Sequence, residues 1–387
     1  MPVLLRVIAA WPEVLIPAPE ENSGLKKRFY CKLYHAKIWR DMFACVGCGR
    51  CTKVCPVNLE MESLVVPMSL NHGNSKIDYL RISVTDRCNL RCLYCMPREG
   101  IASVPPGELL TFEEIIRLVK ILVKLGIGRL RFTGGEPLVR KDLVNLITAL
   151  AEIPGIRDLA LTTNGILLAD YAGVLRESGI SRLNISLDTL KPDRFETLTG
   201  IDAFSRLLSG IERARSLDFS SLKLNTVVMC GINTDEIIDF VKFALAKELV
   251  LRFIEFMPIT PLWKEEYFFP IEEVKAICRN KFNLEETDLN LGPGPAQYYR
   301  VGEKGILGFI KTEEENCCSC SRLRLTSTGE FKLCLYEQPG FSLRDLLRKG
   351  ASDSEISGLL EAKLNLKKEV DYRFWEVPRF YMSNVGG

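Results

Sequence analysis

From Tyr79 onward the chain alternates short apolar runs with longer stretches whose apolar residues recur every three or four positions. Six runs read as strands: Tyr79–Val84, Arg129–Phe132, Asp158–Thr162, Arg182–Leu187, Leu222–Val228 and Val250–Phe256. The stretches between them read as helices. The clearest opens at Thr111-Phe-Glu-Glu114, a capping box, and carries Ile115, Ile116, Val119 and Leu122 on one face. Strand and helix alternating six times predict an α/β fold. A parallel sheet with right-handed crossovers would curl into a partial, TIM-like (β/α)6 barrel. Functional residues in such folds gather where the strands end.

The first strand empties into Asp86-Arg-Cys88-Asn-Leu-Arg-Cys92-Leu-Tyr94-Cys95, a loop with three cysteines spaced C-x3-C-x2-C. Zinc prefers four ligands in paired groupings, and no partner pair stands nearby. Three thiolates suit a 4Fe–4S cluster with one iron left open to a further ligand, one short of a closed site. The second strand ends in Thr133-Gly134-Gly135-Glu136-Pro137, where two glycines let backbone approach a ligand closely. Strand three ends at Thr162-Thr163-Asn164-Gly165 and strand four at Asn184-Ile185-Ser186-Leu187-Asp188. Strand six carries Arg252-Phe253-Ile254-Glu255-Phe256-Met257. Charge inside a strand is costly unless paired or used, so Arg252 and Glu255 either pair within the barrel or serve the site. The cysteine loop after the first barrel strand, with the Gly-Gly segment after the second, resembles the radical S-adenosylmethionine (SAM) superfamily. There such a segment holds the methionyl amino group of SAM.

Fourteen cysteines occur among 387 residues. Ten fall into three groups: Cys45, Cys48, Cys51 and Cys55; Cys88, Cys92 and Cys95; Cys317, Cys320 and Cys334. Clustered C-x2-C spacings point to metal ligation in a reducing compartment rather than to secreted disulfides, so a cytoplasmic location is expected. The first group is the C-x2-C-x2-C-x3-C-P run of bacterial ferredoxins. In two-cluster ferredoxins the fourth cysteine serves the other cluster, and no second complete motif is present here. Either Cys55 closes a lone 4Fe–4S cluster, or Cys31 supplies the fourth ligand. Such a cluster would deliver electrons; the bland alternative is an unloaded remnant of a larger ferredoxin domain.

Beyond Pro258 the pattern changes. A turn-rich stretch, Gly292-Pro-Gly-Pro-Ala-Gln-Tyr-Tyr-Arg300, leads to a shorter β-like region and then to Cys317-Cys318-Ser-Cys320-Ser-Arg322-Leu323-Arg324. With Cys334 this gives C-x2-C-x13-C, a second set of three thiolates with one iron open, although Cys318 could act as a fourth ligand or replace a neighbour. Arg322 and Arg324 alternate in a strand-like segment and so share one face. Two guanidiniums beside a cluster make a receptor for an anion such as phosphate. No G-x4-G-K-[ST] loop occurs, so a nucleotide would be held by side-chain cations. The chain ends in Gly386-Gly387, slim enough to thread a narrow site.

Composition is that of an ordinary globular protein, with a net charge of +2 that gives no reason to expect nucleic acid. Arg6 and Pro12 break the apolar N-terminal run, so neither a signal peptide nor a membrane span is expected. The two histidines, His35 and His72, both precede the first barrel strand, which argues against histidine-centred acid–base chemistry in the core.

From about Ile77 to Gly387 the motifs together resemble the GTP 3′,8-cyclase family of molybdenum-cofactor (molybdopterin) biosynthesis. These are the cysteine loop, Thr-Gly-Gly-Glu-Pro, Asn-Ile-Ser-Leu-Asp-Thr-Leu, Arg-Phe-Ile-Glu-Phe-Met-Pro, the second cysteine group with Arg-Leu-Arg, and the diglycine tail. The resemblance implies a lyase converting GTP to 3′,8-cyclo-7,8-dihydro-GTP through a 5′-deoxyadenosyl radical. It implies a cluster with SAM at Cys88, Cys92 and Cys95, with Tyr94, Gly135, Ser186 and Met257 contacting SAM. A second 4Fe–4S cluster at Cys317, Cys320 and Cys334 would hold the guanine. Arg81, Arg131, Thr162, Lys223, Arg322, Leu323 and Arg324 match GTP-contacting positions, and Arg252 is added to them. Arg322 and Arg324 are also expected to serve the catalysis. The implied partners are an electron donor such as flavodoxin or ferredoxin and a downstream cyclic pyranopterin monophosphate synthase; a homodimer is also expected. Arg129 departs from a usual lysine, Ser321 from an asparagine and Cys230 from a basic residue. The expected organisation is a ferredoxin-like segment and linker over 1–70, a radical SAM barrel over 71–258 and a C-terminal α+β region for the second cluster and GTP over 259–387.

Overall fold

The strand that precedes the cysteine loop, β1 (Tyr79–Ser83), lies inside one continuous sheet, paired in parallel on both sides. The structure, a computed structural model, describes residues 77–289, 291, 292, 294–311, 320–337, 340–369 and 380–382. The chain divides into two units, Met1–Met68 and Ser69–Gly387. The first unit lies outside the described residues, with Cys31, Cys45, Cys48, Cys51 and Cys55. So do Cys317, Cys318 and the Gly386–Gly387 tail.

All six strands are present as β1, β2 (Arg129–Thr133), β3 (Asp158–Thr163), β4 (Arg182–Ser186), β5 (Ser221–Val228) and β6 (Val250–Glu255), parallel and in sequence order. Their bounds fall within one residue of the sequence reading, because each run is closed by polar or turn-forming residues. Between β1 and β2, helix α1 (Phe112–Lys124) starts at a true capping box. Thr111 Oγ1 accepts the Glu114 N–H at 3.2 Å, and the Glu114 carboxylate accepts the Thr111 N–H at 2.8 Å. Its buried face is Ile115, Leu118, Val119, Ile121 and Leu122; Ile116, expected on that face, is half-buried beside it. Further helices follow β2, β3, β5 and β6, and two follow β4: α2 (Leu143–Ala151), α3 (Leu168–Glu177), α4 (Pro192–Thr199), α5 (Phe204–Arg215), α6 (Ile237–Ala246) and α7 (Ile271–Arg279).

Period-two alternation divides each strand. Leu80, Ile82, Leu130, Phe132, Leu161, Leu183, Ile185, Leu224, Leu251 and Phe253 make the apolar, fully buried face. Each such side chain contributes about 1.5–3 kcal/mol. The opposite face carries polar and charged residues and is described below.

Residues after 258 join the same sheet at both ends. On one side β9 (Gly305–Ile310) lies parallel to β6, followed outward by antiparallel β8 (Gln297–Val301) and β7 (Leu284–Glu286). On the other, β10 (Arg322–Leu325) lies parallel to β1, followed by antiparallel β11 (Glu330–Lys332) and β12 (Phe341–Ser342). Eight strands are therefore parallel, two more than the alternating pattern announced, within a sheet ordered β12-β11-β10-β1-β2-β3-β4-β5-β6-β9-β8-β7. Its end strands β12 and β7 do not pair with each other, so the barrel is open. Helices α8 (Leu343–Arg348) and α9 (Asp353–Glu369) tie this last segment back to α1: Arg348 Nε bonds Glu114 at 2.8 Å, and Arg117 Nε bonds Asp353 at 2.7 Å. No helix among the described residues is long and apolar enough to cross a membrane.

Candidate active site

The cysteine loop is held from three directions. Gly135 N–H donates to Thr85 O and Glu136 N–H to Arg87 O, both at 2.8 Å, which zips the Gly-Gly turn after β2 onto the loop. A Cβ on Gly135 would collide with the carbonyl oxygens of Arg87 and Asp86, so glycine is needed here by the protein itself. From a second side, Arg91 N–H donates to Thr199 O at 2.7 Å and Leu93 N–H to Leu198 O at 2.9 Å, capping carbonyls at the end of α4. From a third, Thr260 Oγ1 donates to Tyr94 O at 3.2 Å. The Tyr94 hydroxyl donates to Asp188 Oδ2 at 2.6 Å, and Asp188 Oδ1 accepts the Val227 N–H at 2.8 Å. Burial pushes Asp188 up to about 6.

Cys88, Cys92 and Cys95 are half-buried on this loop. Burial pushes Cys88 up to about 11, and burial with the neighbouring Cys95 raises Cys92. Among the described residues no set of three His, Cys, Asp or Glu side chains closes on a single metal ion. Cys95 and Cys88 both act on the Cys92 thiol, so the three sulfurs stand close to one another on the loop. Ser186, at the end of β4, and Met257, after β6, are half-buried at the same strand ends.

Below this rim, the polar face of the sheet collects most of the other singled-out residues. Register places Arg81 directly between Arg324 of β10 and Arg131 of β2. Thr162, Asn184 and Lys223 form a second row, and Ser186, Asn225 and Arg252 a third. Arg131, Lys223, Arg252 and Arg324 are each at most 7% exposed. On the inward positions of the eight parallel strands the one carboxylate is Asp158, and Arg182 holds it. The cations feel each other. Burial, then Arg324, draws Arg81 well down; burial brings Arg252 and Arg324 to about 10; burial, then Arg252, brings Lys223 to about 7. Buried like charges are costly, and a polyanion relieves the cost.

Their hydrogen bonds fix orientation. Arg131 donates to Tyr79 Oη and, at 3.3 Å, to Thr162 Oγ1; Arg252 Nε donates to Asn225 Oδ1 at 2.8 Å; Lys223 Nζ donates to Leu291 O. Arg322 Nε donates to Cys320 Sγ at 3.3 Å. Burial alone would lower Arg322 and raise Cys320, but their mutual attraction, with Lys367 acting on Cys320, reverses both. Cys320 and Cys334 are half-buried cysteines suited to thiolate ligation.

Two expected residues stand elsewhere. Leu323 alternates to the apolar face and is 0% exposed, so only its main chain lies beside the cationic row. Glu255 accepts the Ile271 N–H at 3.0 Å at the start of α7, a structural use. Arg129 pairs with Asp78 at 2.8 Å. Tyr79, Asn184, Asn225 and Asp188 were not singled out as site residues; the first three share the parity of Arg81, Lys223 and Arg252, and that alternation was the available signal.

Residues 82–244 match the Radical SAM superfamily, residues 249–372 the family Molybdenum Cofactor Synthesis C, and residues 13–59 the 4Fe-4S dicluster domain. A GTP 3′,8-cyclase of Thermodesulfovibrio yellowstonii is 42% identical over 318 residues, 81% of this chain and 98% of that protein. The chain belongs to the GTP 3′,8-cyclase family. Another member, from Syntrophomonas wolfei subsp. wolfei, is 44% identical over 294 residues, covering 75% of this chain and 90% of its own. Among solved structures, Streptococcus suis SuiB superposes with a TM-score of 0.53 at 16% identity, covering 89% of this chain and 83% of that one. In its form bound to S-adenosylmethionine it covers 74% of this chain and 68% of that one, with a TM-score of 0.51 at 17% identity. These two likenesses concern the fold.

Proposed function

We infer that this chain is a radical SAM cyclase converting GTP to 3′,8-cyclo-7,8-dihydro-GTP, the first step of molybdenum-cofactor biosynthesis. The observation that carries the reading is the row Arg324–Arg81–Arg131, with Lys223 and Arg252, on the buried polar face of the strands, one of which, β1, leads into the cysteine loop.

Cys88, Cys92 and Cys95 would hold the 4Fe–4S cluster to which SAM binds, and Cys320 and Cys334, with Cys317, a second cluster. When bound, the first cluster would supply the single electron for reductive cleavage of SAM, and with it the 5′-deoxyadenosyl radical chemistry that closes the bond between the ribose C3′ of GTP and guanine C8. The chain's own residues bind, orient and exclude water. Gly135, Ser186 and Met257 line the strand ends beside the loop, and Tyr94, its hydroxyl committed to Asp188, would meet SAM through its main chain. Arg81, Arg131, Lys223, Arg252, Arg322 and Arg324 neutralise the triphosphate, with Thr162 and the Leu323 main chain beside them. Arg322 also holds Cys320, joining the nucleotide to the second cluster's ligand. Several fixed cations in a water-poor interior hold a polyphosphate without reorganisation during the reaction.

Residues 13–59 contain five cysteines, Cys31, Cys45, Cys48, Cys51 and Cys55, enough for one four-thiolate cluster and not two. That cluster would pass electrons inward from a donor such as flavodoxin or ferredoxin. The product would go to a cyclic pyranopterin monophosphate synthase in the cytoplasm, and the working form would be a homodimer. The test is anaerobic incubation of the reconstituted chain with GTP, SAM and dithionite, read by mass spectrometry. Formation of a cyclised guanosine triphosphate with methionine and 5′-deoxyadenosine is expected. SAM cleavage with GTP unaltered would refute the substrate, and no SAM cleavage would refute the class.

A further inference from the structure

Asn164, in the turn after β3, sits where three loops meet, and its partners assign every polar atom of its amide. Oδ1 accepts the Ile166 backbone N–H at 3.2 Å, a group that can only donate, so Nδ2 must face the other way. Nδ2 donates to Asn89 Oδ1 at 2.8 Å and lies 3.9 Å from Cys88 Sγ. The Asn164 backbone N–H is held by Glu136 Oε2 at 2.7 Å. Glu136, 1% exposed, also accepts Thr163 Oγ1 at 2.8 Å and the Leu138 N–H at 3.1 Å. The carboxylate of the Gly-Gly-Glu segment thus fixes the turn, and the turn aims the amide at the cysteine. Cys88 Sγ receives a second donor, the Leu90 N–H at 3.4 Å.

Hydrogen bonds to ligand sulfur are among the levers that set a cluster's potential, because an N–H pointed at sulfur favours the more electron-rich, reduced state. We propose that Asn164 is a positioning residue that raises the reduction potential of the cluster at Cys88, Cys92 and Cys95 through its side-chain N–H aimed at the Cys88 sulfur. This rests on reading those cysteines as the SAM-binding cluster. Asn164 touches neither SAM nor GTP on this account; it sets how readily the electron arrives.

The test is a potentiometric titration of the full, anaerobically reconstituted chain, following the electron paramagnetic resonance signal that changes when SAM is added. That response in the wild type checks the site reading, and its absence would overturn that reading alone. The midpoint potential checks Asn164. Asn164→Ala is expected to make reduction about tenfold less favourable, about 59 mV more negative for a one-electron couple. Asn89→Ala breaks the same inter-loop tie but keeps the donor, and is expected to shift the midpoint by less than a third of that. Should Asn164→Ala bind no cluster, Asn164→Asp keeps the acceptor for Ile166 and removes the donor; at least the same shift is expected. An unchanged midpoint in the Asn164 variants, or an equal downward shift in Asn89→Ala, would overturn the proposal.

Discussion

Replacing Lys223 with methionine is expected to stabilise the substrate-free protein while weakening GTP binding. Lys223 is 3% exposed, donates to Leu291 O, and has its ammonium brought down from 10.5 to about 7, first by burial and then by Arg252, Arg182 and Arg131. Between those two values the unfolded chain holds the Lys223 proton and the folded chain does not. Stability therefore rises with pH across that window: the penalty is complete below about 7 and gone above 10.5. At pH 8 it amounts to about 3 kcal/mol, and at pH 7 or below to about 5 kcal/mol, as upper bounds. Methionine fills similar volume and forfeits one hydrogen bond of about 1 kcal/mol. The net expectation at pH 8 is a gain of about 2 kcal/mol, or roughly 2–4 °C in Tm for a unit of this size. The gain should shrink to nothing or reverse near pH 10. GTP should restore the ammonium, so wild-type binding at pH 8 takes up about one proton, and affinity falls up to about tenfold per pH unit above 7. Differential scanning fluorimetry across pH, with titration calorimetry in two buffers of different ionisation enthalpy, reads both quantities. A Lys223→Met protein less stable than wild type at pH 8, or proton uptake unchanged by the substitution, would refute the reasoning.

Gly135→Ala places a Cβ against the carbonyls of Arg87 and Asp86. It should displace the cysteine loop and lower iron per chain at least twofold, with SAM-dependent activity falling in step; full iron and activity would show that the loop accommodates the methyl. Thr111→Ala removes the cap of α1, remote from the polar face, and should cost about 1 kcal/mol by denaturant titration with turnover per folded chain unchanged. Deleting residues 1–68 should remove about four irons per chain, leave dithionite-driven turnover intact and slow turnover driven by a protein donor. Equal iron before and after would mean that the first cysteine group carries no cluster.

The structure differed from the reading where contacts between distant segments decided the outcome. Arg129 was a departure from lysine in the sequence and is an ion-pair partner of Asp78 in the fold. Glu255, an ambiguous buried charge, became the acceptor for the first N–H of α7 because a segment 16 residues later returns to it. Leu323 matched a substrate-contacting position, but strand parity turned its side chain to the apolar face. The strand-like alternation of Arg322 and Arg324 was legible, but that β10 pairs in parallel with β1, and β9 with β6, depends on segments far apart in the chain.

By itself the sequence determined the local matters: six strands and their bounds, the capping box of α1, the three-cysteine loop at a strand end, and the parity that gives each strand one apolar and one polar face. These depend on neighbours a few residues apart, where steric and hydrogen-bonding preferences act directly. The company each charge keeps was decided only by the tertiary structure. Arg324 lies 243 positions from Arg81 in the numbering yet is its register partner, because β10 pairs with β1 in parallel. Electrostatic cost depends on distance in space, so the depressed ammonium of Lys223 and the cationic face it belongs to exist only once the strands are side by side.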